Sequence, residues 1–478
     1  MSRGKSLCLR GGGDKEEEEQ EEQEQEVEEE EEEDVASAMS KMKVRGEGSS
    51  GPNVNVVLIG HVDSGKSTIS GHILYDTGGL DQRTLDKYEK DAKAIGRESW
   101  KYAWAMDTTE EERAKGKTQE CGRATFSTDK RHYTLLDAPG HKNYVPFMIG
   151  GASQAEVAIL VISARTGEFE AGYERGGQTR EHAVLAKTAG INTLLVAVNK
   201  MDECKWSKER FDEIVGKLEP YLKASGFDTK KDVTWVPMEG LSGANLKDRL
   251  AKGACEWYQD GPSLLEALDN VVIAERNREA PLRMMVADKY READIFVMGK
   301  ILQGTVKKGQ SILCQPKGTA VSVAAIAIDG EELEEAVAGD NVRLRIRHPE
   351  DDLIEQGSVL CEESSPCHAI TEFEAKINVL ACKTILSGGF QCMLHLHNAL
   401  VECTWEKVVS VKDKKLGDVK MPFVKVGQQA VVRVSVEQPV CAELFANLGQ
   451  LGRFVMREEG QTVAVGVVTK LGPADGSD

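Results

Sequence analysis

The octapeptide Gly60-His61-Val62-Asp63-Ser64-Gly65-Lys66-Ser67 constrains this chain more than anything else in it. It fits G-x-x-x-x-G-K-[ST] and follows the β-branched run Val54-Asn55-Val56-Val57-Leu58-Ile59, which stops at glycine as a buried strand feeding a helix does. Glycines at those spacings let backbone N–H groups turn inward on phosphates. Lys66 then supplies a cation to the β and γ oxygens, and Ser67 offers a hydroxyl to Mg²⁺. His61, Val62, Asp63, Ser64, Gly65, Lys66, Ser67 and Thr68 are therefore the expected nucleotide loop. Without its strand and helix the pattern would be only a glycine-rich turn carrying a surface lysine.

Two later segments convert one motif into an ordered set. Asp137-Ala138-Pro139-Gly140 closes the apolar run Tyr133 to Leu136, where a strand end can aim a carboxylate at a metal through water and Gly140 can present its amide to the γ-phosphate. Asn199-Lys200-Met201-Asp202 follows Leu194 to Val198. Asp202 can accept both N1–H and the exocyclic amine of guanine, which adenine does not offer, so the set selects GTP over ATP. D-x-x-G or N-K-x-D alone is commonly a turn or loop; their order behind the phosphate loop gives them specificity.

Further apolar runs at Val157 to Ile162 and Val233 to Val236, with helix-compatible stretches such as Thr179 to Gly190 between, predict a doubly wound, mostly parallel α/β sheet. That P-loop GTPase domain spans residues 51–275. From Pro281 the texture becomes short alternating segments broken by glycines, predicting two antiparallel β-barrels at 281–365 and 371–473. Net charge is 60 minus 79, or −19. Residues 14 to 34 hold sixteen acidic residues against one lysine, so the rest of the chain carries only −4. Residues 1–50 read as a disordered acidic tail, whose own partner is unknown. Any RNA-facing surface must then be a local basic patch, with no membrane or DNA partner indicated. No run approaches a membrane span, the N-terminus lacks a signal-peptide core, and the eleven cysteines show no metal-ligand spacing, so a cytoplasmic protein with reduced thiols is expected.

Beyond about residue 51 the chain resembles the elongation factor Tu and elongation factor 1-alpha superfamily of translational GTPases. The resemblance rests on the three motifs, on His141 after Asp137-Ala138-Pro139-Gly140, on the switch I-like stretch Glu112 to Thr118, on Gly177-Gln178-Thr179-Arg180-Glu181-His182 and on the two-barrel tail. Thr108 to Phe126, Cys367-His368, Leu394-His395-Leu396-His397 and Gly452 to Gly460 are most similar to the class-2 release-factor branch of termination. Two sister branches, carriers of aminoacyl-tRNA and of a ribosome-rescue factor, share every nucleotide residue. A nucleotide-locked scaffold without turnover is the alternative from another class.

The resemblance implies GTP/GDP as ligand, with Mg²⁺ held by Ser67 and Thr118 and Asp137 in its outer shell. It implies that His141 positions the attacking water, and that Thr118 leaves the metal once the γ-phosphate is gone. Lys66, Thr118 and His141 are thus the catalytic set. Asn199, Lys200, Asp202, Gly240 and Leu241 hold the base, and the ribosome with its RNA and a class-1 release factor are the partners. Gly452, Arg453, Phe454 and Arg457 are implied to bind that factor. Gly176-Gly177-Gln178 matches the tripeptide with which class-1 factors admit water, but here it opens a predicted helix and reads as structural. Two departures stand out: Glu239 where the family's base loop has a small residue, its neighbour Gly240 being expected to give its amide to guanine O6, and Lys117 where the elongation factors place isoleucine beside Val62.

Overall fold

The computed structural model describes residues 53–107, 112–113, 118, 121–174, 177–291, 294–347, 354–413 and 417–472. The acidic tail and Lys117 lie outside them.

Six strands form the first sheet: β1 (Asn53–Gly60), β2 (Gly122–Ser127), β3 (His132–Asp137), β4 (Val157–Ser163), β5 (Thr193–Asn199) and β6 (Val233–Pro237). Their lateral order is β2-β3-β1-β4-β5-β6. Every pairing is parallel except β2 with β3, which run antiparallel with Gly122 opposite Asp137. β2 escaped the sequence reading because Gly122-Arg123-Ala124-Thr125-Phe126-Ser127 is an edge strand with only alternate residues buried. β1 and β4, by contrast, bury nearly every side chain under helices on both faces, as their continuous apolar runs require.

The helices that position the site are α1 (Lys66–Asp76), α2 (Gln82–Ala94), α3 (Val145–Gln154), α4 (Glu168–Tyr173), α5 (Gln178–Ala189) and α6 (Lys208–Ala224). Gln178 is the first residue of α5 and Gly177 its N-cap, so that part of the Gly-Gly-Gln tripeptide begins a helix.

Two antiparallel barrels follow. In the first, Ser311–Gln315, Val359–Cys361, Arg283–Arg291, Ile295–Gln303, Asn341–Arg347 and Thr319–Ile328 lie side by side, and the last pairs back with the first. In the second, Gln391–Leu396, Arg453–Glu458, Gln461–Leu471, His368–Val379, Gln429–Ala442 and Ala399–Asp413 close in the same manner. Closure leaves neither six-strand ring with an open edge. Each has its own apolar core, around Val297, Ile312 and Leu344 in one and Phe373, Trp405 and Phe454 in the other. The first barrel is fastened to the sheet at Glu156, which accepts from Lys300 Nζ, Arg276 Nη2 and the Asn55 N–H.

Candidate functional site

A cavity of about 490 Å³ opens at the carboxyl ends of the parallel strands, where crevices in such sheets bind ligands. Val62, Asp63, Gly65, Lys66, Ser67, Thr68, Thr118, Gly140, His141, Asn199, Lys200, Asp202, Gly240 and Leu241 line it. Residues drawn from five separate segments thus meet in one place.

The loop from β1 to α1 is bent by backbone conformations few residues adopt: Gly60 has φ 145°, Asp63 58° and Gly65 96°. A Cβ on Gly60 would strike the Val161 carbonyl, and one on Gly65 the Asn199 side-chain amide. α1 starts with no side chain capping its first turn, so its leading amides and positive end face the cavity. Lys66 Nζ donates to the His61 carbonyl at 2.8 Å, and burial pulls its pKa down to about 8 against Asp137 and Asp63. Gly140 closes in from the other side, where a Cβ would lie 2.5 Å from Lys66 Nζ and 3.0 Å from the Val62 nitrogen. Only glycine fits there.

Behind Ser67 lies a knot of acids. Asp137 at the end of β3 is fully buried, and among the described residues neither carboxylate oxygen completes a well-formed hydrogen bond, although the Ser67 hydroxyl is close enough to act on it. Burial lifts its pKa to about 6 although Ser67 and Lys66 pull the other way. Ser67 Oγ and Thr118 Oγ1 share a hydrogen bond of 3.1 Å, and Thr118 Oγ1 also donates to Asp107 Oδ1 at 3.4 Å. Asp107 is buried too, lifted to about 7 by desolvation and by the charges of Asp137 and Glu112. Two adjacent hydroxyls in front of a buried carboxylate make a donor set that suits Mg²⁺, which takes few protein ligands and completes its shell with water and phosphate. Asp107 belongs to no motif and the sequence offered no sign of it, while Glu112 stands in the switch I-like stretch without a role assigned from sequence.

His141 reaches the cavity from the segment after Gly140, its Nδ1 accepting from the Asn143 N–H at 3.3 Å. A neutral ring that accepts at Nδ1 carries its proton on Nε2. Two expected loop residues do not face the cavity. Ser64 turns its hydroxyl back to the His61 carbonyl, and the His61 ring packs by Gly172 of α4 near Gln178. His182 of α5 supports the loop from below: its Nδ1 accepts the Gly60 N–H at 3.0 Å, and burial pushes its pKa to about 3, so the ring stays neutral.

The base end is held by Asn199. Its amide donates to the Ser64 carbonyl at 2.8 Å, and its Oδ1 accepts the N–H groups of Lys200 and Gly240, each at 2.8 Å. Three loops are thereby joined through one buried side chain. The Gly240 amide is therefore not free for guanine O6, contrary to the sequence expectation, because Asn199 already uses it. Lys200, in the left-handed region at φ 62°, sends its ammonium to Glu168 at 2.8 Å. Asp202 begins a single-turn helix and is exposed to the cavity. Glu239 is half-buried and lines the same end.

Family models match three consecutive parts of the chain: the elongation factor Tu GTP binding domain at residues 51–274, elongation factor Tu domain 2 at 296–361 and the GTP-eEF1A C-terminal domain-like family at 372–469. The eukaryotic peptide chain release factor GTP-binding subunit of Schizosaccharomyces pombe is 48% identical over 425 residues, covering 88% of this chain. That of Candida albicans is 48% identical over 429 residues, again 88% of the chain. The chain belongs to the elongation factor Tu superfamily of GTP-binding proteins, and over most of its length it is similar to eukaryotic release factor GTP-binding subunits. It spans 64% of the length of the first relative and 59% of the second. Among solved structures, the Ski7 GTPase-like domain of S. cerevisiae shares the fold with a TM-score of 0.72 at 19% identity, over 88% of this chain and 97% of that one.

Among family members, the segment Gly452 to Arg457 is where the resemblance placed binding of a class-1 factor, but here its side chains are turned inward. Phe454 is 1% exposed and packs edge-on against Phe373 in the barrel core. Arg457 is buried, donates to the Gly460 carbonyl at 2.6 Å and lies 3.8 Å from Glu181 of α5. The Arg453 guanidinium lies over Phe445 and against Gly190 at the end of α5, and Gly452 is pressed on the Phe445 backbone. Strand alternation sends Phe454 to the core, while both arginines meet the GTPase domain. Arg453 and Arg457 thus join the second barrel to the GTPase domain, while Gly452 and Phe454 pack within the barrel itself.

Proposed function

We propose that this chain is a GTPase of translation termination, which binds GTP and Mg²⁺, associates with a class-1 release factor and couples hydrolysis on the ribosome to peptide release at a stop codon. The observation that carries the chemistry is the meeting of Lys66, Gly140, Ser67, Thr118 and the buried Asp137 at one cavity. The names of relatives 48% identical over 88% of the chain carry the biological setting.

In this reading the α1 amides and Lys66 take the β- and γ-phosphates, Lys66 exchanging the His61 carbonyl for phosphate oxygen. Mg²⁺, when bound through Ser67 and Thr118 with Asp137 behind, neutralises charge on the β- and γ-oxygens. His141 Nε2 orients a water in line with the γ-phosphorus; water oxygen bonds to phosphorus as the bridge to the β-phosphate breaks, giving GDP and inorganic phosphate. A loose transition state asks mainly for such placement. Among the described residues Thr118 Oγ1 bonds to Ser67 and Asp107; in this reading the γ-phosphate and Mg²⁺ would add the contacts that order the first switch, and their loss releases it.

The test is GTP turnover by the full chain, alone and with ribosomes and a class-1 factor, beside His141→Ala. Stimulated turnover that the substitution abolishes supports the reading. Turnover stimulated only by aminoacyl-tRNA or a rescue factor moves the chain to a sister branch, and nucleotide binding without turnover makes it a scaffold.

A further inference from the structure

One wall of the cavity belongs to none of the motifs. Arg97, Ser99, Trp100 and Ala103 form it, from the stretch between α2 and Asp107. That stretch is not a loose lip. The Tyr102 ring stacks on His72 of α1 at 4.2 Å and 8°, and His72 Nδ1 donates to the Gly240 carbonyl at 2.8 Å. Gly71 of α1 lies so close to the Tyr102 carbonyl that a Cβ would overlap it. The wall is thereby pinned to the phosphate helix and the base loop together.

Arg97 places its guanidinium 4.5 Å above the Trp100 ring. An exposed arginine on a tryptophan is common on protein surfaces; here the pair faces a cavity built for a polyanion. The other side chains bearing basic nitrogen along that cavity have partners. Lys66 donates to the His61 carbonyl, Lys200 is paired with Glu168, and His141 accepts from Asn143. No carboxylate within ion-pair distance of Arg97 is found among the described residues, and only the aromatic face holds it. Stacking fixes the plane of a guanidinium while leaving its edge N–H donors free, the arrangement suited to a phosphate oxygen. A nucleoside triphosphate brings about four negative charges, more than Lys66 and one divalent cation neutralise together, so a further cationic donor is favoured there.

We propose that Arg97, held in place by Trp100, is a further nucleotide-binding residue that donates to the phosphate oxygens of the bound guanine nucleotide. The inference rests on the guanine-nucleotide reading of the cavity. It is tested by calorimetric titration of the full chain with GDP and with GTP at several salt concentrations, for wild type, Arg97→Ala, Arg97→Lys and Trp100→Ala. Arg97→Ala is expected to weaken both nucleotides about ten-fold, the scale of one charge-assisted hydrogen bond, and to flatten the dependence of affinity on salt. Arg97→Lys keeps the charge without the stacked fork and recovers part of the loss, and Trp100→Ala loses part of it. The melting temperature of the nucleotide-free Arg97→Ala chain stays at the wild-type value, since Arg97 is exposed. Wild-type affinity and salt dependence in Arg97→Ala overturn the proposal while leaving the site reading intact. Failure of the wild-type chain to bind any guanine nucleotide overturns both.

Discussion

The two ends of the nucleotide cavity are built on opposite plans. At the phosphate end polar groups are left open: α1 has no capping side chain, Asp137 completes no well-formed hydrogen bond among the described residues, and Lys66 rests on a backbone carbonyl. At the base end they are already joined, with Asn199 bonded to three loops, Lys200 to Glu168, and His72 to Gly240. An open set of groups gains its partners from the ligand, so its residues govern affinity and turnover. A closed set fixes shape before the ligand arrives, so its residues govern specificity and the stability of the fold.

Substitutions at the two ends should therefore fail differently. Lys66→Ala is expected to give the largest effect, a loss of roughly 100-fold in GTP affinity, on the scale of two charge-assisted hydrogen bonds, with an unchanged melt of the free protein; equilibrium titration beside calorimetric melting checks it. Asp202→Asn comes next, with guanine affinity falling about 30-fold, on the scale of the two hydrogen bonds lost, while xanthine nucleotides, which offer an acceptor in place of the exocyclic amine, gain. A competition titration reads that exchange. Asn199→Ala inverts the pattern: stability drops by about 1–3 kcal/mol because buried partners are left unsatisfied, and GTP and GDP affinities fall equally. Should Asn199→Ala leave the melt untouched, the closed plan of the base end is wrong.

A further contrast follows from buried histidines. His182 under the phosphate loop is held down to about 3, and His395 and His397 of the second barrel to about 4, in each case chiefly by burial. All three are neutral in the fold and titrate near 6.5 when unfolded. The unfolded chain therefore binds protons the fold refuses, and stability falls as pH drops from about 6.5 towards 4, by up to about 1.4 kcal/mol per pH unit for each histidine. Denaturant unfolding at pH 7 and pH 5 measures it, and His395→Gln should reduce the slope. The smallest effect is Glu239→Gln: with a carboxylate removed from the base end, GDP affinity rises about two- to three-fold, the scale of a partly exposed charge.

The phosphate end was the more legible in sequence because its chemistry is local. Gly65, Lys66 and Ser67 are adjacent, and a strand and a helix on either side fix where they point. The same holds for Asp137 and Asn199, each at the end of an apolar run. What escaped depends on contacts across the chain. Asp107 matters because Thr118 bonds to it and it lies near the charge of Asp137. Glu168 matters because it meets Lys200 across the sheet. The amide of Gly240 changed role because a side chain 41 residues away occupies it. The barrels show the same limit: alternation predicted their strands and sends Phe454 to the core, while the burial of Arg457 depended on which face of the second barrel meets α5.

The most direct test of the account is single-turnover GTP hydrolysis by the full chain with ribosomes halted at a stop codon and a class-1 release factor present, comparing wild type with His141→Ala. The account predicts hydrolysis that is slow for the chain alone, strongly accelerated by the assembled complex, and lost in His141→Ala with GTP binding retained. Equal rates for the two proteins, or a wild-type rate that the complex leaves unchanged, would contradict it.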